Sequence, residues 1–211
     1  MRCLANNVDN VGEAVRVLKE GGVIAHPADT CFGLAADLLN KKALEKLQRI
    51  KGRDAGKPMS IMLPPHLKPM LGQYAQLNEF AEMVCEELLP GPVTIILPKG
   101  PKIPDYFFPP VPTIGIRVPY DELTTDILMR FRGPLITTSA NLSDQPVCCS
   151  CADVKKIFKG SKHQPDLLLE GNLQGLCLPS TVISLKNDKI TILRKGPLGK
   201  EQIEAILSIE S

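Results

Sequence analysis

The chain has 211 residues, 44% hydrophobic and 23% charged, the composition of an ordinary globular protein. A chain of this length buries roughly 70% of its unfolded surface and needs no covalent staple to fold. A formal charge of +2 excludes a surface that holds nucleic acid or anionic membrane by net charge, so an acidic ligand would need a local cluster of cations. No apolar run approaches a membrane span, and the N-terminal MRCLANNVDN lacks the apolar stretch of a signal peptide. With seven cysteines and no secretory signature, the chain reads as cytoplasmic with reduced thiols.

Val11, Ala14, Val15 and Leu18 recur at helical spacing, and Gly21-Gly22 stops that helix. Residues 23–25 form a short buried strand that runs into the polar loop Pro27-Ala28-Asp29-Thr30. Asn40 caps a second helix with the apolar stripe Ala43, Leu47 and Ile50. Residues 59–63 read as a strand ended by Pro64-Pro65, and 76–89 as a helix. After Pro90-Gly91-Pro92 comes a strand over 93–97. Six prolines between positions 98 and 112 predict an irregular surface loop, because proline removes backbone donors. A strand over 114–118, a helix over 122–131, a strand over 135–138 and a helix near 152–159 follow. Residues 181–185 and 189–193 make a hairpin around Asn187-Asp188, and Ile203, Ile206 and Leu207 place a last helix. Alternating helices and strands with a late hairpin predict one α/β domain over residues 1–211, with a mixed sheet.

Three stretches offer chemistry. Lys51, Arg53 and Lys57 lie in a run with Gly52, Gly56 and Pro58; such a segment either wraps an anion or carries solvated charge at a helix C-terminus. Ser139 and Asn141 follow an apolar strand and point to one side of it, as a turn or as the wall of a ligand crevice. Arg117 has the opposite parity to Ile114, Ile116 and Val118, so it must reach solvent, an acid or an anionic ligand. Thr30, Ser180 and Arg194 sit in or beside polar turns near strand ends. Cys148, Cys149 and Cys151 lack the paired spacing and the nearby histidine of a zinc site. No nucleophile triad and no glycine-rich phosphate loop is present.

In order, HPADTCFGL, KGRDAGKP, LPGPVTIIL, IGIRVP, TTSANLS, PSTVISL and ILRKGPL resemble the YrdC-like family of threonylcarbamoyl-AMP synthases, over about residues 21–196. The resemblance implies a twisted mixed sheet flanked by helices, with a large basic cavity. It implies synthesis of threonylcarbamoyl-AMP from L-threonine, bicarbonate and ATP with Mg²⁺, and release of pyrophosphate. The product would feed the machinery that transfers the threonylcarbamoyl group to tRNA adenosine. By matching positions, Lys51 and Arg53 would be catalytic, and Lys51, Arg53, Lys57, Asn141 and Arg194 would hold ATP. Thr30, Arg117, Ser139 and Ser180 would hold threonine. Fixed cations around a departing pyrophosphate need no nucleophilic side chain, in keeping with the missing triad. The chain departs from the family pattern at His26 and Ala28, where tyrosine and threonine are usual, and at Met62, where many members carry histidine. It ends soon after Arg194, so no further C-terminal domain is expected. A rival reading is an RNA-binding or ribosome-maturation factor with weak RNA affinity, against which the charge and the few aromatics weigh. A carbamoyl-adenylate enzyme of hydrogenase maturation is another, and it would carry zinc-finger domains.

Overall fold

In the computed structural model, which describes residues 1–52, 59–107, 112–143, 145–173 and 176–208, ten strands share one sheet. They are β1 (Arg2–Ala5), β2 (Val23–His26), β3 (Gly33–Asp37), β4 (Ser60–Met62), β5 (Val93–Pro98), β6 (Thr113–Arg117), β7 (Leu135–Ser139), β8 (Leu167–Glu170), β9 (Thr181–Lys186) and β10 (Lys189–Arg194). The helices are α1 (Val8–Lys19), α2 (Lys41–Lys51), α3 (Glu79–Leu88), α4 (Glu122–Phe131), α5 (Cys151–Phe158) and α6 (Lys200–Leu207), with a 3-10 helix over Pro65–Gln73. The strand order is β1-β8-β2-β3-β7-β4-β6-β5-β9-β10. The β1–β8, β2–β8, β4–β6 and β5–β9 pairs are parallel and the others antiparallel, so the sheet is mixed as expected.

Local chemistry sets several boundaries. Asn7, Asn40, Asn78 and Asp121 each accept a backbone N–H in the first turn of α1, α2, α3 and α4. The Asn78 cap starts α3 at Glu79, three residues after the expected helix start at 76. The β9–β10 hairpin turns at Asn187 and Asp188, with φ of 52° and 53°, the left-handed region that these two side chains tolerate. Three strands have no counterpart in the sequence reading: β1, the small-residue β3 (GLAAD) and the leucine run of β8.

Successive strand residues face opposite sides. Val23, Ala25, Leu34, Ala36, Ile61 and Ile136 pack with α2, α3, α5 and α6 on one face. Ile24, Ala35, Met62, Leu135, Leu167 and Leu169 pack with α1 and α4 on the other. On that second face the two helices cover one part of the sheet. The remainder, over β4, β5, β6 and β9, stays open.

The expectation of seven reduced thiols is corrected at one pair. Cys149, just before α5, is disulfide-bonded to Cys177, in the loop before β9, with their Cα atoms 5.4 Å apart across a sequence separation of 28. The fold lays these two loops side by side, which the spacing of the cysteines does not reveal. Cys148 Sγ instead donates to the Ala140 carbonyl at 2.6 Å, and Cys151 Sγ lies 3.4 Å from the Gly171 carbonyl. Three neighbouring cysteines thus take three separate partners. No helix among the described residues is long and apolar enough to cross a membrane.

A cross-link that closes a loop of this length limits the unfolded chain, so Cys149→Ser is expected to cost about 2–4 kcal/mol. Urea unfolding with and without reductant checks this. A wild-type midpoint that reductant leaves unmoved would contradict it.

Candidate active site

The open part of the sheet face forms a cleft of about 390 Å³. Small residues form the middle of its floor. Ser60 pairs with Thr137 on one side and Gly115 on the other, and all three line the cleft. A Cβ on Gly115 would stand 2.6 Å from Ser60 Oγ and 2.9 Å from Thr94 Cγ2, so a side chain there would both clash and fill the cleft.

Arg117 enters from the end of β6, only 8% exposed. Of the three surroundings its parity allowed, it meets an acid: a guanidinium nitrogen forms an ion pair with Asp29, in the loop after β2. The same loop is tied to α4, because the Asp29 amide donates to Asp121 Oδ2 at 3.2 Å while Asp121 Oδ1 accepts from the Thr124 amide at 2.8 Å. Burial raises the pKa of the Asp29 carboxyl above its ordinary value, against the pull of Arg117.

Arg194 approaches across the sheet from β10. It pairs in register with Val182, which in turn pairs with Thr94. Its Nε and Nη2 donate to the Ser180 carbonyl at 3.1 and 2.8 Å, and Nη2 lies 3.1 Å from Ser180 Oγ. Ser180 Oγ is also 2.8 Å from Thr94 Oγ1, so this hydroxyl is held from two sides. Partial desolvation against the sheet lowers the pKa of the Arg194 guanidinium from its ordinary value, although the residue stays exposed.

The wall at the end of β7 is built around Lys51, which is 1% exposed at the C-terminus of α2. Its ammonium donates to the Ser139 carbonyl and to Asn141 Oδ1, each at 2.8 Å, and to the Asn141 carbonyl at 2.5 Å. Ser139 Oγ donates to Asn141 Oδ1 at 2.6 Å. The amide of Asn141 reaches the Gln145 carbonyl.

Thr30, Arg117, Ser139, Ser180 and Arg194, far apart in sequence, therefore line one cleft. Lys51 and Asn141 stand behind its wall and shape it. Arg53 and Lys57 lie outside the described residues. The sequence reading missed Asp29 and Asp121 as partners in the site, and the only signal for an acid was the parity of Arg117. His26 and Ala28, noted as departures from the family pattern, both line the cleft, as does Met62.

The Sua5/YciO/YrdC family model, described as telomere recombination, matches residues 16–196. The human threonylcarbamoyl-AMP synthase is 33% identical over 87% of this chain and 66% of its own length. The threonylcarbamoyl-AMP synthase of Pyrococcus abyssi is 29% identical over 92% of this chain and 56% of its own. The chain thus spans between about half and two thirds of these two relatives. The crystal structure of P. abyssi Sua5 complexed with L-threonine superposes with a TM-score of 0.87 at 28% identity, covering 97% of this chain and 60% of that one. A family match over most of the sequence and a shared fold lead to one conclusion: the chain belongs to the Sua5/YciO/YrdC family.

Proposed function

We propose that this protein is a threonylcarbamoyl-AMP synthase, which joins L-threonine, bicarbonate and ATP into threonylcarbamoyl-AMP and releases pyrophosphate. One observation carries the reading: Arg117 and Arg194 line a single cleft together with the hydroxyls of Thr30, Ser139 and Ser180, in a family with a member solved in complex with L-threonine. Two guanidinium groups suit a carboxylate and a phosphate, and the hydroxyls suit the polar ends of a small amino acid.

In this reaction the threonine amine attacks bicarbonate, giving a carbamate and water. A carbamate oxygen then attacks the α-phosphate of ATP, and pyrophosphate leaves with the electrons of the broken P–O bond. Charge builds on the phosphate oxygens, so cations and fixed dipoles supply the catalysis. Arg117 takes the threonine carboxylate. Arg194 takes the nucleotide, together with Arg53 and Lys57. Lys51 acts through the Ser139–Asn141 loop, which its ammonium holds in place. Mg²⁺ arrives as the ATP complex. There it would offset the charge on the phosphate oxygens; of the carboxylates beside the cleft, Asp29 pairs with Arg117 through Oδ1, and Asp121 accepts from the Asp29 and Thr124 amides. The product is a mixed anhydride. A partner that transfers its acyl group to tRNA adenosine in the cytoplasm completes the pathway.

Pyrophosphate release from ATP is expected to require both L-threonine and bicarbonate, and labelled bicarbonate should leave its carbon in the adenylate, read by mass spectrometry. A rate that does not fall when threonine is omitted rejects the assignment. Arg53→Ala and Lys57→Ala should each slow pyrophosphate release at least tenfold (about 1.4 kcal/mol) in protein that stays folded by circular dichroism. Wild-type rates in both would remove these residues from the phosphate site. Arg117→Lys keeps the charge but loses the planar fork, so KM for L-threonine should rise about tenfold or more while KM for ATP stays within about threefold. Equal rises in both constants would contradict that role.

A further inference from the structure

Among the described residues, three buried polar atoms around the cleft have no hydrogen-bond partner: His26 Nε2, Asp29 Oδ2 and Arg117 Nε. Leaving such an atom unpaired costs about 1–3 kcal/mol. The three belong to one connected group, because Asp29 pairs with Arg117 and lies two residues beyond the Pro27 carbonyl that His26 contacts. They also differ in kind. Arg117 Nε is a donor, and the other two are acceptors.

The tautomer of His26 follows from its surroundings. Nδ1 lies 2.9 Å from the Pro27 carbonyl oxygen, which only accepts, so Nδ1 carries the proton and donates it there. The Thr124 hydroxyl is 3.4 Å from the same nitrogen. Nε2 is therefore left with its lone pair. Burial lowers the pKa of the imidazole, and Arg117 adds to this, against the opposing pull of Asp121. His26 is 1% exposed, yet it lines the cleft. Its partner in register on β3 is Gly33, also in the lining, and a Cβ on that glycine would stand 3.6 Å from Nε2. Glycine at this position keeps the approach to Nε2 clear.

We propose that His26 Nε2 accepts a hydrogen bond from the α-amino nitrogen of the amino-acid substrate, which makes His26 a substrate-binding residue. The inference rests on the reading of the cleft as a threonine site. A lone pair repels a carboxylate and attracts an N–H. An unpaired donor with unpaired acceptors beside it complements the neighbouring carboxylate and amino groups of an α-amino acid. The substrate hydroxyl has Thr30, Ser139 and Ser180 to choose among, so it does not need the imidazole. A neutral acceptor also suits the chemistry. It directs the nitrogen without holding it as an ammonium in a salt bridge, and that nitrogen must be unprotonated to attack bicarbonate.

Calorimetric titration of the wild type, His26→Phe and His26→Gln with L-threonine and with L-2-aminobutyrate, which lacks only the hydroxyl, tests this. His26→Phe should weaken both ligands at least tenfold (about 1.4 kcal/mol). His26→Gln, whose side-chain amide oxygen can accept in place of Nε2, should stay within about threefold of wild type. An unchanged Kd for threonine in His26→Phe overturns the proposal. So does a loss confined to threonine, or a wild type that binds threonine but not saturating 2-aminobutyrate, since either would assign the anchor to the hydroxyl. Equal losses in the Phe and Gln variants, with a common fall in Tm, would make His26 structural and also overturn it. A wild type that binds neither amino acid refutes the threonine reading itself, a different failure from any of these.

Discussion

A guanidinium cannot be buried alone, and the Arg117–Asp29 pair is the constraint around which this site is organised. The pair bridges the end of β6 to the loop after β2, elements 88 residues apart in sequence. From Asp29 the connection passes through its amide to Asp121, and from Asp121 to the first turn of α4. One buried charge thus positions a strand end, a loop and a helix N-terminus together. Such a pair adds little net stability over an apolar replacement, whereas removing one partner costs about 3–5 kcal/mol. Its value lies in geometry: it holds a cation at the edge of the cleft with one donor, Nε, still unspent.

The cleft exists because the two faces of the sheet are covered unequally. Four helices pack on one face, and α1 and α4 cover only part of the other. An uncovered sheet face of large apolar residues would call for another layer. Here the open rows carry Ser60, Gly115, Thr94 and Thr137 beside Ile96 and Val182, and the small size of the first four leaves room for a ligand. The same strands place Ile61, Ile95, Ile114, Ile116 and Ile136 on the covered face. Strand alternation alone therefore builds a core on one side and a binding surface on the other.

This alternation made part of the site legible in the sequence. The parity of Arg117 stated that it needed a partner, and the hairpin at Asn187-Asp188 was readable because those residue types tolerate positive φ. Other elements left no such trace. In β3, GLAAD lacks the β-branched residues that mark strands. In β8, LLLE is too short for a period, and leucine favours helices equally well. Both strands are specified by long-range pairing, β3 with β2 and β7, β8 with β1 and β2. The Cys149–Cys177 bond was hidden for the same reason, since only the packed loops bring the two residues together.

Lys51 shows most clearly what a sequence cannot state about a cation's surroundings. It shares a short run with Arg53 and Lys57, and read as a string the three cations look equivalent. The fold buries Lys51 as the last residue of α2 and directs its ammonium to the carbonyls of Ser139 and Asn141. A charged donor satisfied by several oxygens inside a wall is a rigid joint, stronger than a neutral hydrogen bond would be. It fixes the wall that carries Ser139, and it fixes the point at which the chain leaves α2 through Gly52, whose φ of 58° is in the left-handed region. A buried lysine can in this way tie the Ser139 end of β7 and the following Asn141 to the C-terminus of α2.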